Sequence, residues 1–328
     1  MDAVFAGLVD RLGPQNVIDW PPKEKHREGV PTITGDVEKD YGAERRSLCY
    51  TPHCLQLPKP TAGEIRGMLA IGEIERIFVD ERIETFDEYL KLNAHLFPTP
   101  VVVIAGHDRF WGDVSQLTIG YGKKLEAMFL DNWKDSYSEL KRAYPMCYAT
   151  NFDHLWDVSQ RESLLKTKLY DVCFMGYNSH PDRVTVVDHL LQKYGGESNY
   201  LFVERRPNTM DAFMRKADYF KAMAMSRVCI NLKGAAECGK ALRFYEIPYV
   251  GSCMLSQEFP AKQVHPFVHG EHCMYFRTLD ELDNMIDVLL GSDTLRERIA
   301  RQGHEHAMKY HTARARVDYM YECLNGSR

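Results

Sequence analysis

Val4, Leu8 and Leu12 recur on one helical stripe and Gly13-Pro14 closes it, so the pattern predicts an opening helix. "NVIDW" reads as a short strand. From Pro21 to Pro60 the chain is polar and without period, and reads as a long surface excursion. Regular alternation then sets in. "IERIFVD" and the β-branched "PVVVIAG" predict strands on either side of a helix, "TFDEYLKLNAHL". "GKKLEAMFLDNW" and "YPMCYAT" add short elements around a helix starting near Asp135. A second series opens at Tyr170. Here "YDVCFMG", "NYLFVE", "RVCINL", "SCML" and "CMYF" predict strands, while "HPDRVTVVDHLLQKYG" (closed by Gly195-Gly196) and "MDAFMRKADYFKAMAMS" predict helices. Thr278 and Glu281 carry the spacing of a capping box for a helix stopping at Gly291, and two more helical stretches form the tail.

Strands that are apolar throughout, separated by helices, imply parallel sheets covered on both faces. Two such series predict an α/β protein of two Rossmann-like domains facing across a cleft. Their spans are 1–160 and 161–328, with the C-terminal helix packing back on the first domain. Ligands of such sheets lie beyond the carboxyl ends of the strands. That rule nominates the loops after Ala105, Met175, Val203 and Leu232.

Composition narrows the class. A chain of 328 residues with 45% hydrophobic and 27% charged positions fits a globular protein of two domains, and no apolar run approaches the roughly 20 residues of a membrane span. The acidic, amphipathic start is unlike a signal peptide. Nine scattered cysteines without a Cys-x-x-Cys pair read as reduced thiols of a cytoplasmic protein, with Cys49 and Cys54 as bystanders and no metal site. The net charge of −5, with both signs interspersed, gives no extended basic face for duplex nucleic acid.

The stretch after Leu232, "KGAAECGKALRFYEIPYVGSCML", carries the densest candidate chemistry. Beside Lys233, itself a candidate binding residue, Gly234 and Gly239 let the backbone approach a ligand, and the following helix offers its N-terminal amides. Lys240, Arg243 and Glu246 fall on one helical row, where two cations suit a diphosphate and the carboxylate suits ribose hydroxyls. A salt-bridged surface helix with Arg243 and Glu246 paired at i, i+3 explains the same row. After Met175, Gly176, Tyr177 and "NSH" could meet a phosphate or sugar hydroxyl; an ordinary turn capped by Ser179 with Pro181 at the first helical position explains them as well. After Ala105, His107 and Asp108 are candidates for a catalytic base, and a polar turn ahead of a helix is the alternative. The chain lacks Gly-x-Gly-x-x-Gly, the phosphate-loop lysine motif, Asp-x-Asp and Gly-x-Ser-x-Gly. That argues against dinucleotide, P-loop, metal-held diphosphate and serine-hydrolase chemistry.

The order of "YDVCFMGYNSHPDR", "SRVCINLKGAAECGKALRFYEIPYVGSCML", "FVHGEHCMYFRTLDELDNMIDVLL" and "RERIARQGHEHAMKYHTARAR" resembles the two-domain GT-B glycosyltransferases. The likeness is to the spore-maturation-protein-like (CgeB-like) branch with a glycosyl transferase group 1 C-terminal domain, and covers about residues 170–318. The resemblance implies transfer of a sugar from a nucleoside-diphosphate sugar (UDP or GDP type) to an acceptor hydroxyl held by the N-terminal domain, with no cofactor or metal required. It places Arg243 and Glu246 on the donor-binding helix with Glu246 at the ribose, Lys240 at the diphosphate, and Gly176 as the glycine after the domain's first strand. Two departures stand out. Glu237 and Glu246 have eight residues between them where better-known retaining relatives have seven, and the chain opens on a helix where the family opens on a strand. Rival readings on the same scaffold are a nucleotide-sugar epimerase, a phage-type transferase acting on modified DNA bases, and a non-catalytic nucleotide-sugar-binding protein.

Overall fold

The computed structural model describes residues 2–19, 57–80, 98–105, 121–131, 133, 135–151, 156–177, 181–196, 198–205, 216–234, 241–259 and 263–326. Two parallel sheets organise them. The first contains β1 (Ile77–Asp80), β2 (Val101–Ala105), β3 (Leu125–Leu130) and β4 (Ala143–Pro145), side by side in chain order. Every residue of β2 is buried, as expected of "VVVIA" in a sheet covered on both faces. The second contains β5 (Tyr170–Tyr177), β6 (Tyr200–Arg205), β7 (Ser226–Asn231), β8 (Cys253–Gln257) and β9 (Met274–Phe276), all parallel, in the order β6-β5-β7-β8-β9.

Helices fill the faces. In chain order they are α1 (Asp2–Leu12), α2 (Ala62–Ala70), α3 (Arg161–Lys166), α4 (Pro181–Tyr194), α5 (Lys216–Ala224), α6 (Arg243–Val250), α7 (Leu279–Gly291), α8 (Asp293–Tyr310) and α9 (Ala313–Leu324). Thr61 and Glu64 close a full capping box at α2, which the sequence reading passed over. At α7 the Thr278 hydroxyl accepts from the Glu281 amide, but the Glu281 carboxylate takes the amide of Arg277 instead of completing the box. Pro248 stands inside α6, whose Phe244 is locked edge-on between Phe259 and Phe267.

Several expectations need correction. Over its described residues, 16–19, "NVIDW" forms no strand: Asn16 closes a 3-10 turn over Pro14–Asn16, and Val17 is buried without a strand neighbour among the described residues. The helix expected at Asp135 is a 3-10 turn, Asp135–Glu139. The helix "TFDEYLKLNAHL", most of the excursion from Pro21 to Pro60, and Cys49 and Cys54 lie outside the described residues. The described cysteines, all free, are buried. Among the described residues no helix is long and apolar enough to cross a membrane.

The chain crosses between the sheets and returns along itself. The Thr150 amide donates to the His311 carbonyl at 2.7 Å, and the Ala313 amide donates back to the Thr150 carbonyl at 2.9 Å. From there α9 runs over the first sheet and packs on α1. The contact is so close that a Cβ on Gly7 would come within 2.3 Å of the Ala313 carbonyl oxygen. Arg316, fully buried, donates through Nη2 to the Tyr148 carbonyl at 3.2 Å and to His311 Nδ1 at 3.0 Å. The Tyr319 hydroxyl donates to the Pro145 carbonyl. The C-terminal helix therefore belongs to the first sheet's core, as anticipated.

Candidate functional site

Strand order locates the crevice. From β5 the chain goes to one side, to β6, and then recrosses to β7 on the other side, so the direction of winding reverses between β5 and β7. Beyond the carboxyl ends of two such strands the helices diverge and leave room for a ligand. Gly176 lies near the carboxyl end of β5, and Lys233 and Gly234 follow β7.

Arg243 lies against Gly176. Its guanidinium carbon is 5.0 Å from the centre of the Phe174 ring. A Cβ on Gly176 would come within 2.1 Å of Arg243 Nη2, so the glycine is what admits the guanidinium. Arg243 is 9% exposed, and its Nε and Nη1 have no hydrogen-bond partner among the described residues. A second buried arginine, Arg183, comes from the first turn of α4 and is 7% exposed. Its Nε donates to the Lys233 carbonyl at 2.8 Å. Burial first, and the Arg243 charge second, push the Arg183 guanidinium down to about 10. An anion between or beside two like charges under partial burial relieves their repulsion.

Glu246 is one turn along from Arg243 and only 2% exposed. It accepts the Tyr219 hydroxyl at 2.6 Å. Burial, then the Glu246 carboxylate, raise the Tyr219 hydroxyl well above its ordinary range, with Arg243 opposing, so this phenol stays a donor. Arg243 and Glu246 are thus not a surface ion pair; both face inward. Lys233 is half-buried, pairs with Asp182, and donates its amide to Gln257 Oε1 at 3.2 Å.

The helix itself differs from expectation. It begins at Arg243, and the amides of Phe244, Tyr245 and Glu246 already donate to the carbonyls of Ala241 and Leu242. Side-chain charge, more than free helix amides, is what the crevice offers an anion. Lys240, Gly239 and Glu237 lie outside the described residues, as do His107 and Asp108; for Tyr177 the backbone alone is described. Among the described residues no cluster of His, Cys, Asp or Glu could hold a metal ion.

The sequence reading missed Arg183, Phe174 and Tyr219. A signal for Arg183 was present: it shares the buried stripe of α4 with Val186, Val187, Leu190 and Tyr194, a charge where the pattern calls for an apolar residue.

Residues 189–322, less than half of the chain, match a protein family described as glycosyl transferase-like. No curated protein matches the sequence. Solved structures do match in fold. A glycosyltransferase from Rickettsia africae shares 9% identity over 99% of this chain and 93% of its own, with a TM-score of 0.54. TarM shares 8% identity over 80% of this chain and 57% of its own, with a TM-score of 0.52. HepE from Anabaena, in complex with UDP-glucose, shares 10% identity over 92% of this chain and 98% of its own, with a TM-score of 0.50. The fold is α/β with two parallel sheets, as in GT-B glycosyltransferases, and the C-terminal part is a glycosyl transferase-like domain.

Proposed function

We propose that the protein is a glycosyltransferase whose crevice between β5 and β7 binds the nucleoside diphosphate of a sugar donor. The observation that carries this is the pair of buried arginines, Arg183 and Arg243, at the point where the winding of the sheet reverses. Arg243 keeps two N–H groups without a partner, and a diphosphate supplies both the charge and the acceptors. Glu246, held by Tyr219, is oriented to accept the ribose hydroxyls. Lys233, Gly234, Gly239, Lys240, Gly176 and Tyr177 complete the donor side in this reading.

Transfer breaks the bond between the sugar's anomeric carbon and the diphosphate oxygen, which leaves with the electron pair. The acceptor hydroxyl oxygen forms the new bond, and its proton passes to a base, for which His107 and Asp108 are the candidates. Charge accumulates on the departing diphosphate, and fixed guanidinia nearby stabilise it without rearranging. On this reading residues 1–160 hold the acceptor and 161–328 the donor, no metal is needed, and transfer persists with chelator present. The order of motifs around "RFYEI" supports placing the chain in the spore-maturation-protein-like branch.

The test is calorimetric titration with UDP, GDP, TDP, ADP and CMP. UDP comes first because the fold-matched HepE is described with UDP-glucose. We expect one nucleoside diphosphate to bind, and Arg243→Ala to weaken it about 30-fold with Glu246→Ala close behind. Unchanged affinity in both variants would sink the donor-site assignment.

A further inference from the structure

At the amino end of the first sheet a cavity of about 460 Å³ opens between the starts of β2, β3 and β4 and the end of α9. Lys123, Lys124 and Arg142 line it, together with Glu126, Tyr144 and Leu324. The charges do not cancel. Glu126 is already held in a fork by Arg76, with bonds of 2.6 and 2.9 Å. Neither lysine takes a hydrogen-bond or ion-pair partner among the described residues. Among the described residues the Arg142 side chain makes one bond, from Nη1 to the Leu125 carbonyl at 2.7 Å. Its backbone is left-handed, with φ 66°, a conformation that is uncommon for a residue with a side chain. The Arg142 carbonyl accepts the Met128 amide at 2.8 Å, so strand pairing holds that conformation in place.

We infer that this cavity binds a phosphate-bearing ligand. Three cations without a free carboxylate exceed what one carboxylate ligand neutralises and suit the charge of a phosphate ester or diphosphate. The volume is that of a small-molecule site, and Tyr144 and Leu324 provide the apolar wall for the rest of such a molecule. The site is distinct from the donor crevice beyond β5 and β7: its lining comes from the amino ends of β2, β3 and β4 and from α9, with no residue of the second sheet. A headgroup of an anionic lipid and a soluble phosphorylated metabolite share this chemistry.

The experiment compares five proteins: the unaltered chain, Lys123→Ala/Lys124→Ala, Arg243→Ala, the combination of these two, and a charge-matched control, Lys166→Ala/Lys309→Ala, whose lysines are exposed in the second half of the chain. Each is titrated with inorganic pyrophosphate and sedimented with phosphatidylcholine vesicles with and without phosphatidylglycerol. The Lys123/Lys124 variant should lose tenfold or more in affinity for one probe or both (roughly the loss of one or two charge-assisted bonds). The control should retain binding to both probes. Arg243→Ala, which weakens the crevice's own hold on pyrophosphate, should keep its vesicle binding and still lose pyrophosphate affinity when Lys123→Ala/Lys124→Ala is added. Loss on the anionic vesicles alone identifies a headgroup; loss on pyrophosphate identifies a soluble ligand. The inference is overturned by wild-type binding in the Lys123/Lys124 variant, by an equal loss in the control, or by an unaltered chain that binds neither probe.

Discussion

Two arginines invite comparison, because each is buried and each leaves Nε and Nη1 without a partner. Arg316, on α9, is wedged where the two chain crossings meet. Its Nη2 is shared by a carbonyl from one crossing and a histidine ring from the other. Arg243 lies on an aromatic ring beneath a glycine, beside a second buried cation, at the open ends of parallel strands. Orphaned guanidinium atoms therefore do not mark a ligand site by themselves. Position at the switch of the sheet and an excess of like charge distinguish Arg243, whereas Arg316 bonds to groups the fold itself supplies.

If that distinction is right, the two positions respond to truncation in opposite ways. Arg316→Ala strands the Tyr148 carbonyl and His311 Nδ1 and opens a cavity, and should cost about 3 kcal/mol in chemical denaturation. A loss below about 1 kcal/mol would erase the contrast. Arg243→Ala removes a charge that has no protein acceptor at Nε or Nη1, so its denaturation midpoint should shift far less while nucleotide affinity falls.

Gly176→Ala sharpens the same contrast without touching any charge. The added methyl would meet Arg243 Nη2 and force the guanidinium off Phe174. We expect nucleotide affinity to fall about tenfold, consistent with loss of one charged hydrogen bond. The combination with Arg243→Ala should be no worse than Arg243→Ala alone, since both act through one side chain. Additive losses in the cycle would show that the glycine acts on something else.

The sequence revealed one of these arginines and hid the other for a physical reason. Buried parallel strands such as "VVVIAG" and "RVCINL" are apolar throughout, so their existence was readable and the carboxyl-end rule nominated the loops after Met175 and Leu232. The order of strands that makes these two loops neighbours comes from the fold. Arg243 was visible because it follows such a strand. Arg183 drew no assignment, although it sits on a stripe of α4 that is otherwise apolar. Thr61 and Glu64 cap a helix that the neighbouring polar stretch concealed. Val17 is buried as a strand residue would be, yet no strand among the described residues pairs with it, and a local pattern records burial without recording the neighbour. Arg316 joins Tyr148 and His311 through the folded crossing, which no periodicity encodes.

A pH titration probes the Arg316 side of the comparison. Burial, then the charge of Arg316, then His306, push the His311 imidazole well below its ordinary value of about 6.5. His311 Nε2 is close to the His265 carbonyl, the ring stacks on Phe267, and Tyr245 packs beside it. A base with a lowered folded pKa is neutral in the folded state while the unfolded chain takes up the proton. Its contribution is therefore complete above pH 6.5 and is lost as the pH falls below it. His304 and His306 shift the same way, both through burial. Stability should therefore fall as the pH drops from 7.5 to 5.5, with His311, the most deeply buried of the three, contributing most. His311→Gln should flatten that slope; an unaltered slope would mean His311 does not titrate differently on folding.

The smallest effect belongs to the crevice. Tyr219→Phe removes the hydroxyl that Glu246 accepts and leaves the ring in place. The Glu246 carboxylate then loses one fixed donor but remains buried one turn from Arg243. Nucleotide affinity should fall only about threefold, the size of one modest hydrogen bond. The decisive readout is the difference between a nucleoside diphosphate and inorganic pyrophosphate. If Tyr219 orients Glu246 for the ribose, the loss appears with the nucleoside diphosphate and vanishes with pyrophosphate, which has no ribose to offer. An equal loss on both would place Tyr219 with Arg243 at the phosphates instead.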